Sequence, residues 1–190
     1  GKGVILAETE DEAISAVRDM LAGNAFGEAG HRVVIEQFLR GEEASFICMV
    51  DGNNVLPLAT SQDHKARDNG DTGPNTGGMG AISPVSFAGG DFLKKVEERV
   101  VIPTIEGLKK DHIPYKGFLF IGLMNVAGDP YVIEYNVRMG DPETESVLPR
   151  LECDLVDLFL GVANENLAEK SFSISPKTAV TVMLVAGGYP

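Results

Sequence analysis

Residues 132–143 read VIEYNVRMGDPE. Side chains alternate along a strand, so Glu134, Asn136 and Arg138 would share one face, and Ile133, Tyr135 and Val137 the other. Glu and Asn are hard oxygen donors suited to Mg²⁺. Arg138, ~7 Å further along by the strand rise, can clamp a phosphoryl or carboxylate oxygen in two places. The same spacing also suits a half-exposed strand carrying a Glu–Arg pair. Gly140-Asp141-Pro142 then turns the chain, with Asp141 placed as a helix N-cap and Pro142 at the first helical position.

A second concentration of chemistry is SQDHKARDNGDTGPNTGGMGA, residues 61–81. It sets Asp63, His64 and Lys65 ahead of a run with four glycines among residues 71–80. It is not a G-x-x-x-x-G-K-[ST] loop, and Gly78-Met79-Gly80 lacks the third glycine of a dinucleotide fingerprint, since residue 83 is Ser. Successive glycines can still form a backbone nest for an anion or let main chain approach a ligand closely. His64 has the chemistry of a catalytic base, and equally that of a hydrogen-bonded structural histidine. A third stretch, VVIEQFLRGEEAS, carries Glu36, Phe38 and Leu39 into a turn at Gly41, followed by Glu43. Such a hinge can present backbone N–H and C=O to a planar ring, with a carboxylate for ribose hydroxyls, although any strand–turn–strand looks similar.

These groups need a scaffold, and the pattern of the chain outlines one. Val4–Ala7 reads as a short strand. Thr9 and Glu12 have capping-box spacing, and Ala13, Val17, Met20 and Leu21 recur with helical period, so a helix is expected over 10–21. GNAFGEAG reads as a loop and Arg32–Leu39 as a strand. Ala44–Val50 and Val55–Ala59 flank Asp51-Gly52-Asn53 as a hairpin. No apolar period runs through residues 62–85, so a long functional loop is expected there. Asp91–Lys110 is an amphipathic helix that Pro103 would kink or interrupt. Gly117–Val126 and Tyr131–Val137 form a second hairpin around AGDP, Asp154–Ala163 a helix, and Thr178–Ala186 a strand after a linker at 170–176. Strands joined as hairpins favour an α+β fold over a doubly wound sheet.

The 190 residues are 44% apolar and 23% charged, with glycine in excess at 22 residues against a usual ~7%. A core is within reach of this composition. The net charge of −12 argues against a nucleic-acid or anionic-membrane surface, while a few local amides, cations or metals can still hold phosphate. Cys48 and Cys153 have no metal-like spacing and read as buried free thiols of a reducing, cytoplasmic setting. No apolar stretch approaches the ~20 residues of a membrane helix, and no signal-peptide pattern opens the chain. The ends, GKGVILAETE and VAGGYP, both read as interrupted, so a piece of a longer protein is expected.

Taken together, GKGV, DMLAGNAFGEAGHRVVIEQFLRGEEASF, SQDHK, DTGPNTGGMGA, GFLFIGLM, RMGDPETE and VAGGYP resemble the phosphoribosylamine–glycine ligase (glycinamide ribonucleotide synthetase) family of ATP-grasp enzymes, over nearly the whole chain. The resemblance implies an ATP-grasp fold, two α+β lobes with antiparallel sheets clasping ATP. Residues 1–39 would belong to the small lobe, 40–169 to the large lobe, and 170–190 would open a following domain. It implies ligation of glycine to 5-phosphoribosylamine through glycyl phosphate, giving glycinamide ribonucleotide, ADP and phosphate. Glu36, Phe38 and Leu39 would line adenine and Glu43 would hold ribose. Glu134 and Asn136 would hold Mg²⁺ (or Mn²⁺), and Arg138 and Lys65 would steady the transferring phosphoryl group. Asp63, His64, Asp71, Thr72, Gly73, Pro74, Asn75, Thr76, Gly77 and Gly78 would face phosphoribosylamine and glycine.

The resemblance also has gaps. Gly117–Val126 lacks the extra acidic metal ligand common in ATP-grasp members, and Ala66 follows DHK where the family commonly has Arg. The ATP-binding lysine would precede Gly1, so weak or no Mg-ATP binding and no activity are expected of this piece alone, as a monomer or weak homodimer. The alternatives are another ATP-grasp carboxylate–amine ligase, or a nucleotide-binding module without catalysis.

Overall fold

The computed structural model describes residues 4–22 and 32–190. They divide into two compact units, Gly1–Arg40 and Gly41–Pro190. In the first unit, helix α1 (Glu10–Leu21) begins at a full capping box. Thr9 Oγ1 accepts from Glu12 N at 3.3 Å, and Glu12 Oε2 accepts from Thr9 N at 3.3 Å. Glu10, Asp11 and Glu12 sit in its first turn and Arg18 in its last, the order the helix dipole favours. No residue of α1 is buried.

The expected strands at Val4–Ala7 and Arg32–Leu39 are not formed; both stretches are irregular. Val34 and Ile35 are 82% and 79% exposed. Apolar, β-branched residues favour a strand only where a partner strand supplies the ladder, and no strand occurs among the described residues of this unit. The expected loop at 23–30 lies outside the described residues.

The second unit is built on a four-stranded antiparallel sheet in the order β2-β1-β5-β6: β1 (Glu42–Val50), β2 (Val55–Pro57), β5 (Gly117–Val126) and β6 (Asp129–Asn136). The run ASFICMV in β1 is buried throughout, because helices cover both faces. Phe46, Cys48 and Val50, with Leu119, Ile121 and Leu123 of β5, meet Phe92, Val96, Val100 and Ile105 on one side. Ile47, Met49 and Phe120 meet Val147, Leu158 and Val162 on the other. The period-two split of one apolar run between two cores follows from the pleat. Burying an Ile or Met side chain in this way contributes ~1.5–3 kcal/mol.

Turn chemistry sets both hairpins. The Asp51 carboxylate accepts from Asn53 N and Asn54 N at 2.9 and 2.7 Å and reaches Leu167 N at 3.0 Å. Between β5 and β6, Ala127 and Gly128 have φ of 53° and 88°, the left-handed conformations of a tight hairpin turn. One face is covered by α2 (Gly90–Val96), a π-helical turn at Glu97–Val101 and α3 (Ile102–Lys110). The interruption expected at Pro103 is therefore the π turn just before it, with Thr104 Oγ1 donating to Val100 O at 2.6 Å. The other face receives α4 (Glu143–Val147) and α5 (Leu155–Ala163), the latter N-capped by Asp154.

A second sheet has the order β3-β4-β9, from β3 (Gln62–Asp68), β4 (Thr72–Ser83) and β9 (Ala179–Val182). The long loop expected over 62–85 is thus largely a hairpin. Pairing is made by the backbone, so it leaves no apolar period to read. Its register jumps from His64↔Gly80 to Ala66↔Asn75, so Thr76–Met79 bulge out opposite Lys65. Thr76 Oγ1 fastens the bulge, donating to Lys65 O at 2.9 Å and accepting from Gly78 N at 3.0 Å. β7 (Leu151–Glu152) and β8 (Ser173–Ile174) form a small third pair. The Arg150 guanidinium, buried beside it, donates to Ser83 Oγ at 2.8 Å and to Ser175 O at 3.2 and 2.8 Å. No helix among the described residues is long and apolar enough to cross a membrane.

Candidate functional site

Lys65 sits among carboxylates in the second unit. Its Nζ donates to Glu43 Oε2 at 2.5 Å, joining β3 to the start of β1. Burial lowers its proton affinity, but the bond and attraction to Glu43, then Asp63 and Glu134, outweigh this and push its pKa up. Asp63 stands two residues earlier on β3 and hence on the same side. Its Oδ1 is buried without a hydrogen-bond partner among the described residues. Burial first, and then the charge of Glu143, push its pKa up to about 7, against the pull of Lys65.

Glu143 was not anticipated as a site residue. It is 4% exposed, and its Oε1 accepts from Ser45 Oγ at 2.8 Å. In the sequence it is simply the first residue of a short helix; its burial comes from packing against β1, which no local pattern announces. Two glycines make space around these carboxylates. A Cβ on Gly78 would run into the Pro142 ring and lie 2.7 Å from Asp63 Oδ1; on Gly140 it would run into the Glu143 carboxylate and meet the Phe120 ring at 2.9 Å.

Glu134 and Asn136 lie on one side of β6, opposite Gly122 and Phe120. The register passes from Gly122↔Glu134 to Leu123↔Val132, leaving Ile133 as the extra residue of a bulge. Gly122 receives the Glu134 side chain, whose Cγ would be 3.2 Å from a Cβ there. Asn136 Nδ2 is buried without an acceptor among the described residues. Arg138 does not continue this row. The strand ends at Asn136, and Arg138 Nη1 donates to Met139 O at 2.7 Å. Asp141 does not cap a helix either: Pro142 holds the N-cap position, and Thr144 N bonds Gly140 O at 3.1 Å.

The rest of the glycine-rich segment is divided. Gly78 is buried and Thr76 half-buried, whereas Asp71, Thr72, Gly73, Pro74, Asn75 and Gly77 are exposed. Among the described residues, no hydrogen bond or ion pair joins Asp71–Asn75 to the buried carboxylates. The end of the chain returns to this hairpin: Gly77 N donates to Tyr189 Oη at 3.4 Å, and Arg67 Nη1 to Tyr189 O at 3.4 Å. Arg67 is also paired with Asp68 at 2.8 Å. The exposed His64 side chain makes no hydrogen bond among the described residues. In the first unit Glu36 and Phe38 are exposed and Leu39 half-buried. The Arg40 guanidinium lies over the Phe38 ring, 4.9 Å from its centroid.

The second unit thus gathers Glu43, Asp63, Lys65, Glu134 and Glu143 beside the Gly78 bulge. Two clefts of about 680 and 450 Å³ open elsewhere, along α2 and α3, and their walls include none of these residues. Glu134 and Asn136 offer two hard oxygen donors on successive same-side positions. This fits Mg²⁺, which takes one or two protein oxygens and completes its shell with water and phosphate. Among the described residues no group of three or more His, Cys, Asp or Glu is arranged to hold a metal.

Antiparallel sheets flanked by helices agree with the ATP-grasp fold that the sequence resemblance implies. The biotin carboxylase domain of the Hydrogenobacter thermophilus 2-oxoglutarate carboxylase shares this fold at a TM-score of 0.63 and 18% identity, over 94% of this chain and 37% of that one. More narrowly, the chain belongs to the phosphoribosylglycinamide synthetase ATP-grasp (A) domain family, whose model matches residues 1–144. It is 56% identical to the phosphoribosylamine–glycine ligase of Vibrio parahaemolyticus and 54% identical to that of Escherichia coli, covering all of this chain and 44% of each relative. The crystal structure of phosphoribosylamine–glycine ligase from Thermotoga maritima superposes on it at a TM-score of 0.82 with 38% identity, over all of this chain and 48% of that one. The chain therefore spans less than half the length of these relatives.

Proposed function

We propose that this chain supplies the ATP-grasp part of an enzyme that ligates glycine to 5-phosphoribosylamine, at the expense of ATP and in the cytoplasm. The observation that carries the reading is the Lys65 cluster at the Gly78 bulge, in a chain of this family. A carboxylate is a poor acyl donor. In the proposed reaction a glycine carboxylate oxygen takes the γ-phosphoryl group, releasing ADP. The phosphoribosylamine nitrogen then attacks the acyl carbon, phosphate leaves, and the nitrogen gives up a proton. Such chemistry asks for positioning and charge neutralisation rather than a protein nucleophile.

Lys65 neutralises and orients the transferring phosphoryl group, assisted by Arg138 from the turn after β6. Glu134 and Asn136 hold Mg²⁺ or Mn²⁺, which when bound offsets negative charge on the phosphates. Glu43 serves the ribose, Glu36, Phe38 and Leu39 the adenine, and the hairpin from Asp63 to Gly78 the two smaller substrates. Glu134→Ala, in a protein of the relatives' full length carrying this sequence, is expected to reduce glycine-dependent ADP release at least a hundredfold, on the scale of losing a transition-state charge contact. Unchanged release would remove the metal assignment, and an unsubstituted protein indifferent to glycine would remove the ligase reading.

A further inference from the structure

The larger cleft, about 680 Å³, lies apart from the Lys65 cluster and is long rather than round. One wall is a helical stripe at four-residue steps, Leu93, Glu97, Val101 and Ile105. Steps of four drift around an α-helix of 3.6 residues per turn. The π turn at Glu97–Val101 holds an extra residue and takes up the drift, so the four stay in line. The facing wall runs from Asn53 to Pro57 through β2, the edge strand of its sheet. Val101 and Ile105 are buried, and Ile102 beside them is 44% exposed. The charged residues on the walls are Lys94, Glu97 and Glu106. Lys94 Nζ lies 3.9 Å from Glu98 Oε1, and Glu98 is not part of the cleft. Glu97 and Glu106 have no cationic partner among the described residues. They stand ~13.5 Å apart along the helix. Between them on the facing wall, Asn54 Nδ2 is tied to both Asp51 carboxylate oxygens at 3.3 and 3.0 Å, and no described residue donates to its Oδ1.

We infer that this cleft binds a linear polyamine, an aliphatic chain with an ammonium group at each end. Glu97 and Glu106 each accept from one terminal ammonium, which brings three N–H donors and one charge. The methylenes between lie along Val101, Ile102 and Ile105, and Asn54 Oδ1 accepts from a secondary ammonium in mid-chain. The net charge of −12 draws a polycation toward the chain. Shape and spacing select this class among cations. A compact divalent ion reaches one carboxylate and leaves the other ~13.5 Å away. A single ammonium on an apolar body leaves one carboxylate unpaired. A basic peptide would need a backbone ladder, whereas β2 has three residues and Pro57 offers no N–H. The cleft stands outside the proposed ligase site, so its ligand is not a substrate of that reaction.

The test titrates spermidine into the 190-residue chain at low ionic strength, by calorimetry and by the methyl NMR signals of Ile102 and Ile105. Saturable one-to-one binding that shifts both signals is expected. Glu97→Gln and Glu106→Gln should each weaken it about threefold, on the scale of one exposed ion pair, and together about tenfold. Both residues are exposed on the helix surface, so the fold should tolerate the change. Asp11→Asn with Asp19→Asn on α1 removes the same charge elsewhere and should leave binding within about twofold. Butylamine, with one ammonium, should bind at least about tenfold more weakly than spermidine. Absence of saturable binding would overturn the inference. So would equal weakening by the α1 pair, which would mean diffuse attraction, or butylamine binding as tightly, which would mean one cation suffices. A protein of the relatives' full length that no longer binds spermidine would also overturn it, showing the cleft to be a seat for the rest of the protein.

Discussion

Asp63 couples the site to pH in a direction unusual for an aspartate. Its pKa is raised to about 7 by burial and by Glu143, so the folded chain binds a proton that the unfolded chain has released. That stabilisation is complete below the ordinary carboxylate pKa and is lost as pH rises through about 7. Between about pH 5 and pH 8 the melting temperature of the chain is expected to fall further than that of Asp63→Asn; equal declines would refute the protonated state. Thiol reactivity follows the same physics. Cys48 is fully buried, and its pKa is pushed up to about 12 by burial. Iodoacetamide should therefore label the half-buried Cys153 and spare Cys48 in the folded chain, as read by peptide mass spectrometry. At this scale Glu134 was visible in the sequence because polar residues two apart on a strand fall together, and Asp63 and Lys65 because they stand just ahead of the glycine-rich run. Glu143 was not, because it joins them only when α4 packs against Ser45.

Elements were legible where local chemistry decides them. The Thr9–Glu12 capping box placed α1 to the residue, and Asp51-Gly52 and Ala127-Gly128 placed two hairpins. The β3–β4 hairpin was hidden because its ladder needs only backbone, and its glycines bring no apolar rhythm. Arg138 was misplaced because the strand stops at Asn136, which side-chain alternation cannot foresee. The glycines of β4 now have a defined purpose. A Cβ on Gly80 would lie 2.5 Å from the carbonyl oxygen of Thr181, across the β4–β9 ladder. Gly80→Ala is expected to cost about 1–3 kcal/mol in urea unfolding. Ile121→Ala, at a fully buried position of β5, should cost about 2–5 kcal/mol. Ile133→Ala, 36% exposed at the bulge of β6, should stay within about 0.5 kcal/mol.

At the scale of the molecule, the two units differ in what holds them. Residues 41–190 own two apolar cores on the faces of one sheet, whereas α1 buries no residue. A chain reduced to residues 41–190 is therefore expected to unfold cooperatively, within a few degrees of the whole, as a unit with its own core does. Loss of a cooperative transition would show that residues 1–40 are needed for folding. The surroundings of Lys65 have a kinetic consequence as well. Among the described residues, every charged neighbour that acts on it is a carboxylate, namely Glu43, Asp63 and Glu134, on a chain of net charge −12. On the ligase reading, a polyphosphate diffusing toward this lysine meets a field of its own sign. Such a field slows encounter, and salt that screens it restores the rate. Nucleotide association should then quicken with ionic strength, the reverse of steered binding. A nucleotide already carrying its divalent counter-ion should outrun the bare one, so the choice between the two is made in solution, before the first contact forms.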